Sequence, residues 1–212
     1  MIIYWFGQSC FKIEGEKSIL ITDPLADNYG LKMPRLSGDV VLLSQLDDQN
    51  ETVKSVGENK PFVINGPGEY EVKNIFIYGI HGGAEKENSE KANQNIIYRL
   101  EIDGIRLGFL GNLNNILSDG QIERLEGVDI LTIPVGGNGV LNAKQATEVI
   151  SQLEPRLVIP MYYSLPGLKA KLDSVSGFCK EIGVCPKETL NKFKINKKDL
   201  PQQDLQVVIL QP

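Results

Sequence analysis

Extended segments crowd the first half of the sequence, and helical patterns enter only in the second. Ile2–Phe6, Phe11–Glu14 and Ser18–Thr22 follow one another closely, and the tight Glu14-Gly15-Glu16-Lys17 turn predicts a hairpin between the second and third. Val40–Leu43, Phe62–Ile64 and Ile75–Tyr78 come next. Asn95–Ile102 and Ile105–Leu110 then flank Asp103-Gly104, a two-residue hairpin turn. After that, helices alternate with strands. Ser118 and Gln121 form a capping box, with Leu117 and Ile122 as a hydrophobic staple. Asn142 opens a helix whose apolar stripe is Ala146, Val149, Ile150 and Leu153, and Pro155 stops it. Asp173 is expected to cap a third helix, with stripe Val175, Phe178, Cys179 and Ile182 and Gly183 at its end. Strands are expected at Asp129–Val135, Arg156–Pro160 and Leu205–Leu210. Hairpins followed by strand–helix alternation imply a mixed α/β chain with more than one sheet.

A chain of 212 residues can bury one large core, and residues 1–212 are read as a single domain. No apolar run approaches the ~20 residues needed to span a bilayer, so no membrane segment is expected. The apolar N-terminal run Met1–Phe6 lacks a basic flank and a cleavage site, and reads as a strand. The net charge of −5 and the lack of a basic stripe argue against nucleic acid as a partner. Lys192–Lys198 is the nearest approach to such a stripe, but Phe193 and Ile195 alternate in it as in a strand with one wet face. Three cysteines, Cys10, Cys179 and Cys185, without a secretion signal predict reduced thiols and a cytoplasmic setting. The polar loop from Gly82 to Gln94 is either disordered or flanks a site.

Seven segments, taken in order, carry a family pattern. They are Gly7-Gln8-Ser9-Cys10-Phe11-Lys12-Ile13-Glu14, Ile21-Thr22-Asp23-Pro24, Val41-Leu42-Leu43-Ser44, Gly66-Pro67-Gly68-Glu69-Tyr70-Glu71-Val72, Gly108-Phe109-Leu110-Gly111-Asn112-Leu113, Pro134-Val135-Gly136-Gly137 and Ile159-Pro160-Met161-Tyr162-Tyr163. Together they resemble the metallo-β-lactamase superfamily, in particular the bacterial branch of L-ascorbate-6-phosphate lactonase-like hydrolases. The resemblance covers nearly the whole chain. It implies a four-layer αββα sandwich with a site at one edge, between two sheets.

In that family a His-x-His-x-Asp-His run, further histidines and a bridging Asp hold zinc or manganese, and the metal turns a bound water into a nucleophile. Carried over position by position, the run here is Gln45, Asp47, Gln49 and Asn50. The later ligand positions hold Ala84, Asn112 and Tyr162, and the family's early Gly-His-Ser segment has Gln8. Gln and Asn are weak neutral ligands, and Ala cannot bind. The resemblance therefore implies a degenerate metal site and no bound metal cofactor. Asp23, Gly68, Gly111 and Gly136 are spared where the ligands are not.

The remaining candidates flank the expected cleft. His81, the only histidine, reads as a loop residue, or as a ligand if the loop register shifts. Asp23 is read as a structural acid at a strand end in preference to a support for ligands. Asp47 and Asp48 could offer oxygen ligands to a hard cation, but adjacent residues point apart, and solvated loop acids are the expected reading. Gly136-Gly137 before the helix at Asn142 could receive an anion, or simply supply a turn. Gly66-Pro67-Gly68 is read as a turn only. Tyr162, Tyr163 and Ser164 would border the site, with no histidine to activate Ser164 or Cys10. The expected function is thus that of a pseudo-hydrolase that binds an unidentified small molecule or protein. A hydrolase with a rearranged single-cation site and a structural subunit of a homo-oligomer are the alternatives.

Overall fold

In the computed structural model, residues 1–25, 30–31, 34–45, 53, 56–57, 60–83 and 95–212 are described. Asp47, Asp48, Gln49, Asn50, Ala84 and most of the Gly82–Gln94 loop lie outside them. In chain order the strands are β1 (Ile2–Trp5), β2 (Phe11–Glu14), β3 (Ile19–Thr22), β4 (Val40–Leu42), β5 (Phe62–Ile64), β6 (Gly68–Val72), β7 (Ile75–His81), β8 (Ile96–Ile102) and β9 (Ile105–Phe109). Helix α1 (Asp119–Leu125), β10 (Ile130–Pro134), α2 (Ala143–Leu153), β11 (Leu157–Met161), α3 (Val175–Ile182), β12 (Phe193–Lys194) and β13 (Gln206–Val207) follow.

Two mixed sheets result. One is six-stranded in the order β12-β1-β2-β3-β4-β5, the other seven-stranded in the order β13-β11-β10-β9-β8-β7-β6. The period-2 alternation of the first sheet decides what each face buries. Leu20, Val40 and Leu42 join the main core between the sheets. Their neighbours Ile21, Val41 and Leu43 face the other way and build a smaller cluster with Cys10, Leu25, Leu36, Val56 and the helical Val53. On the second sheet, β10 and β11 are buried at every position, as parallel strands covered on both faces must be. Their outer cover is α2, whose stripe Ala146, Val149, Ile150 and Leu153 is wholly buried, together with Phe178 of α3. The molecule is an α/β sandwich of the αββα type.

Caps and turns follow the residue types. The capping box at Ser118 and Gln121 forms, and Asn142 caps α2 by accepting from Gln145 N at 3.0 Å. Asp103 and Gly104 both take positive φ between β8 and β9.

Four expectations are corrected. Gly66-Pro67-Gly68 is more than a turn, because it opens edge strand β6, which returns to β7 through Lys73 and Asn74, both at positive φ. The cap of α3 is Ser174, not Asp173. Asp173 instead stays extended into the preceding loop, where its N–H donates to Gly136 O and its carbonyl accepts from Ser164 N. Of the α3 stripe only Phe178 is fully buried. Lastly, the cysteines are not all reduced thiols. Gly183, at φ 74°, reverses the chain beyond α3 and brings Cys185 to Cys179, with which it forms a disulfide across a Cα–Cα distance of 5.4 Å. That pairing removes the thiol argument for a cytoplasmic setting. Among the described residues no helix is long and apolar enough to cross a membrane.

Candidate functional site

The carboxyl ends of the parallel strands β3, β4, β9, β10 and β11 open at one edge of the sandwich. Such an edge is where open α/β sheets place ligands, since the chain leaves the ladder there and its backbone groups become available. The residues just beyond those strands are Asp23, Ser44-Gln45, Gly111-Asn112, Val135-Gly136 and Tyr162. The β1–β2 turn Gly7-Gln8-Ser9 joins them.

On the first sheet, Asp23 takes φ 36° and is 7% exposed. Its carboxylate accepts from Ser44 N at 2.7 Å and from Ser44 Oγ at 2.6 Å. These charge-assisted bonds tie the end of β3 to the end of β4. The second sheet docks onto the same point. Ile96 N donates to Ser44 O at 2.6 Å, and Gln45 pairs with Asn95 as an isolated antiparallel bridge. Tyr98, whose hydroxyl burial holds firmly protonated, donates to Leu43 O at 2.7 Å.

Asn95 then turns inward along the edge. Its Nδ2 donates to Leu110 O at 3.2 Å, and its Oδ1 accepts from Asn112 N at 3.0 Å. Gly111 must be glycine here: at φ 54° an added Cβ would stand 2.3 Å from Ser44 Cβ and 2.9 Å from Asn95 Oδ1. Asn112 Oδ1 accepts from Ser9 Oγ at 3.4 Å. The Gln8-Ser9 turn is fixed from behind by Thr22, whose Oγ1 donates to Ser9 O at 2.7 Å. Gln8 O accepts from Trp5 Nε1 at 2.9 Å and from Tyr162 N at 3.2 Å.

The structure thus brings Gln45, Asn112, Tyr162, Gln8 and Asp23 onto one edge, linked through Ser9, Ser44 and Asn95. Other candidates fall elsewhere or serve the backbone. His81 ends β7 exposed, and its carbonyl accepts from Gln121 Nε2 at 2.7 Å. Gly136 lets the Tyr162 carbonyl approach to within 2.2 Å of where a Cβ would be. Gly137 N already donates to Leu141 O, and Asn142 already caps α2. This geometry fits a turn, not an anion cradle. Tyr163 is a core residue: it is 4% exposed, packs on Trp5 with ring centroids 4.8 Å apart and donates to Leu210 O at 2.9 Å. Cys10 lies behind the edge as a buried thiol. Burial first, and the Asp23 charge second, push its pKa far up, so it is no nucleophile.

Two residues of the edge, and one beyond it, have roles that the sequence reading does not anticipate. Asn95 stitches the two sheets. Ser9 reaches Asn112. Gln121, beyond its capping box, holds the carbonyls of His81 and Gly83 and so anchors the end of β7 to α1. An Asn standing just before a strand is a common maker of local backbone bonds, and that was the available signal for Asn95.

A divalent transition metal fits this donor set poorly. Gln45, Asn112 and Tyr162 are weak ligands when neutral, and both Asp23 oxygens are engaged by Ser44. Among the described residues no three His, Cys, Asp or Glu side chains gather closely enough to hold a metal ion.

A two-sheet sandwich with its site at the strand ends is the architecture of the metallo-β-lactamase hydrolases. The beta-lactamase superfamily domain matches residues 2–162, and the chain belongs to that family. A UPF0173 protein of Pyrococcus abyssi is 25% identical over 200 residues, spanning 86% of this chain and 90% of its own length. A UPF0173 metal-dependent hydrolase of Thermococcus onnurineus is 25% identical over 190 residues, spanning 76% and 84%. A solved metallo-β-lactamase superfamily structure from Thermotoga maritima superposes with a TM-score of 0.79 at 29% identity, covering 99% of both chains. The related sequences include bacterial as well as archaeal proteins.

Proposed function

We propose that this chain is a metal-free pseudo-hydrolase, a member of a hydrolase family that acts by binding and not by turnover. One observation carries the reading: the former ligand positions that are described, Gln45, Asn112 and Tyr162, hold neutral groups, Asn112 accepting from Ser9 Oγ and bound through its backbone to Asn95, while the buried acid beside them, Asp23, is taken up by Ser44. A hydroxide nucleophile at neutral pH needs a metal held by several strong ligands, and such a set is not assembled among the described residues. Its partner is a small molecule or a protein. The net charge of −5 speaks against nucleic acid.

The rival is a hydrolase using one rearranged cation site made from Asp23, Asp47, Asp48, His81 and Asn112. The names of the metal-dependent relatives favour it, but it requires Asp23 to release Ser44. Turnover separates the two. Phosphodiesters, lactones and β-lactams incubated with the purified protein should react no faster than in buffer. Hydrolysis that copurifies with the protein and disappears in Asp47→Ala would establish the rival.

A further inference from the structure

Gln8 presents an anomaly at the same edge. It is 1% exposed, and neither Nε2 nor Oε1 of its side chain has a hydrogen-bond partner among the described residues. Buried amides are nearly always paired, because each unpaired donor or acceptor costs about 1–3 kcal/mol. The backbone around it is not slack. Gln8 holds φ at 49°, which a non-glycine residue adopts at some cost, and its carbonyl is bound by both Trp5 Nε1 and Tyr162 N. The next residue, Ser9, is fixed by Thr22 and reaches Asn112. A rigid turn therefore carries a buried amide whose two polar atoms serve nothing else in the described structure.

The chemistry of that amide narrows what can meet it. Its oxygen needs a donor and its nitrogen an acceptor, side by side in one plane. A carboxylate offers acceptors alone and an ammonium donors alone. A charged guest would also need a counter-charge, and the buried acid at this edge, Asp23, already has both oxygens bound by Ser44; an unpaired buried charge is far costlier than a neutral dipole. An alcohol or a water can bridge both atoms only through a single oxygen, with both bonds bent away from linear. A group with an N–H and a C=O on the same edge serves both at once.

We propose that Gln8 is the recognition residue of a closed binding site for a small neutral molecule with an amide edge. This rests on the metal-free reading above, because a metal and its charged ligands at this edge would change which guests it tolerates.

The test uses acetamide as the probe in thermal melts of the full chain. N,N-dimethylacetamide (no N–H), acetate (no donor, charged) and propan-2-ol are the comparisons. Acetamide should raise the melting temperature by about 3–5 °C at roughly ten times its Kd, and the three comparisons should not. In Gln8→Met the acetamide shift should vanish while the ligand-free melting temperature holds or rises, because the buried amide has been removed. Metal analysis of the same preparation separates the two levels. Stoichiometric metal would overturn the metal-free reading and this assignment with it. Metal-free protein that ignores acetamide, answers propan-2-ol equally well, or keeps the shift in Gln8→Met overturns the ligand assignment alone.

Discussion

Gly111→Ala probes the point where the two sheets meet at the site. Gly111 sits at φ 54°, where an L side chain is strained by about 1–2 kcal/mol. Its added Cβ would also lie 2.3 Å from Ser44 Cβ and 2.7 Å from Ser44 Oγ. Neither is the end of a flexible chain, and Ser44 is fully buried. Relief requires the ends of β4 and β9 to part, which strains Ser44 against Asp23 and Ile96. Overpacking of this kind typically costs about 1–3 kcal/mol, so the total loss should be roughly 2–5 kcal/mol. Gly183→Ala supplies the control. Gly183 also has positive φ, at 74°, but an added Cβ there meets nothing within 4 Å, so it should lose only the conformational part. Equilibrium urea unfolding of both variants, compared at unchanged m-value, reads the difference. If Gly111→Ala costs no more than Gly183→Ala, the close packing of the two sheets at Ser44 is wrong.

Three further outcomes follow from the same geometry. Tyr162→His should not recover zinc binding by isothermal titration, since one added histidine cannot complete a tetrahedral site; tight stoichiometric zinc binding would mean other ligands stand ready. The Cys10 thiol should resist iodoacetamide in the native protein and react only after unfolding, because burial keeps it protonated and out of reach. The Lys73 ammonium lowers the Asp39 carboxyl pKa, so that pair contributes stability above the unfolded carboxyl value and loses it as the pH falls through the lower folded value. Both ends are partly exposed, so Lys73→Ala should cost only about 0.2–1 kcal/mol at neutral pH, and the cost should fade in acid urea titrations below about pH 4.

How much of this could be read from the residues depends on whether the causes were local. The α2 stripe and the Asp103-Gly104 hairpin were legible because periodicity and turn chemistry act within a few residues. Strand β6 was not, since it is an edge strand with Glu69 and Glu71 exposed and offers little apolar alternation. Its return turn, Lys73-Asn74, lacks the glycine that marks such hairpins. The disulfide depended on how sharply Gly183 turns the chain, which a count of cysteines does not encode. At the site, the family resemblance places Asn112 and Tyr162, but Asn95 reaches Asn112 only once β8 and β9 pair, and Ser9 reaches it only once the two sheets are stacked. The family segment Gly7-Gln8-Ser9 marks Gln8 as flanking the cleft; that its amide is buried, with no partner among the described residues, is a property of the packed structure alone.

The central claim is that the edge works without a metal. Elemental analysis of protein purified without chelator, with thermal melts before and after EDTA, tests it most directly. The account predicts well under one equivalent of zinc, manganese or iron and a melting temperature indifferent to EDTA. A stoichiometric transition metal that EDTA removes, with a fall in melting temperature, would contradict it, because bound metal contributes to the stability of the folded state.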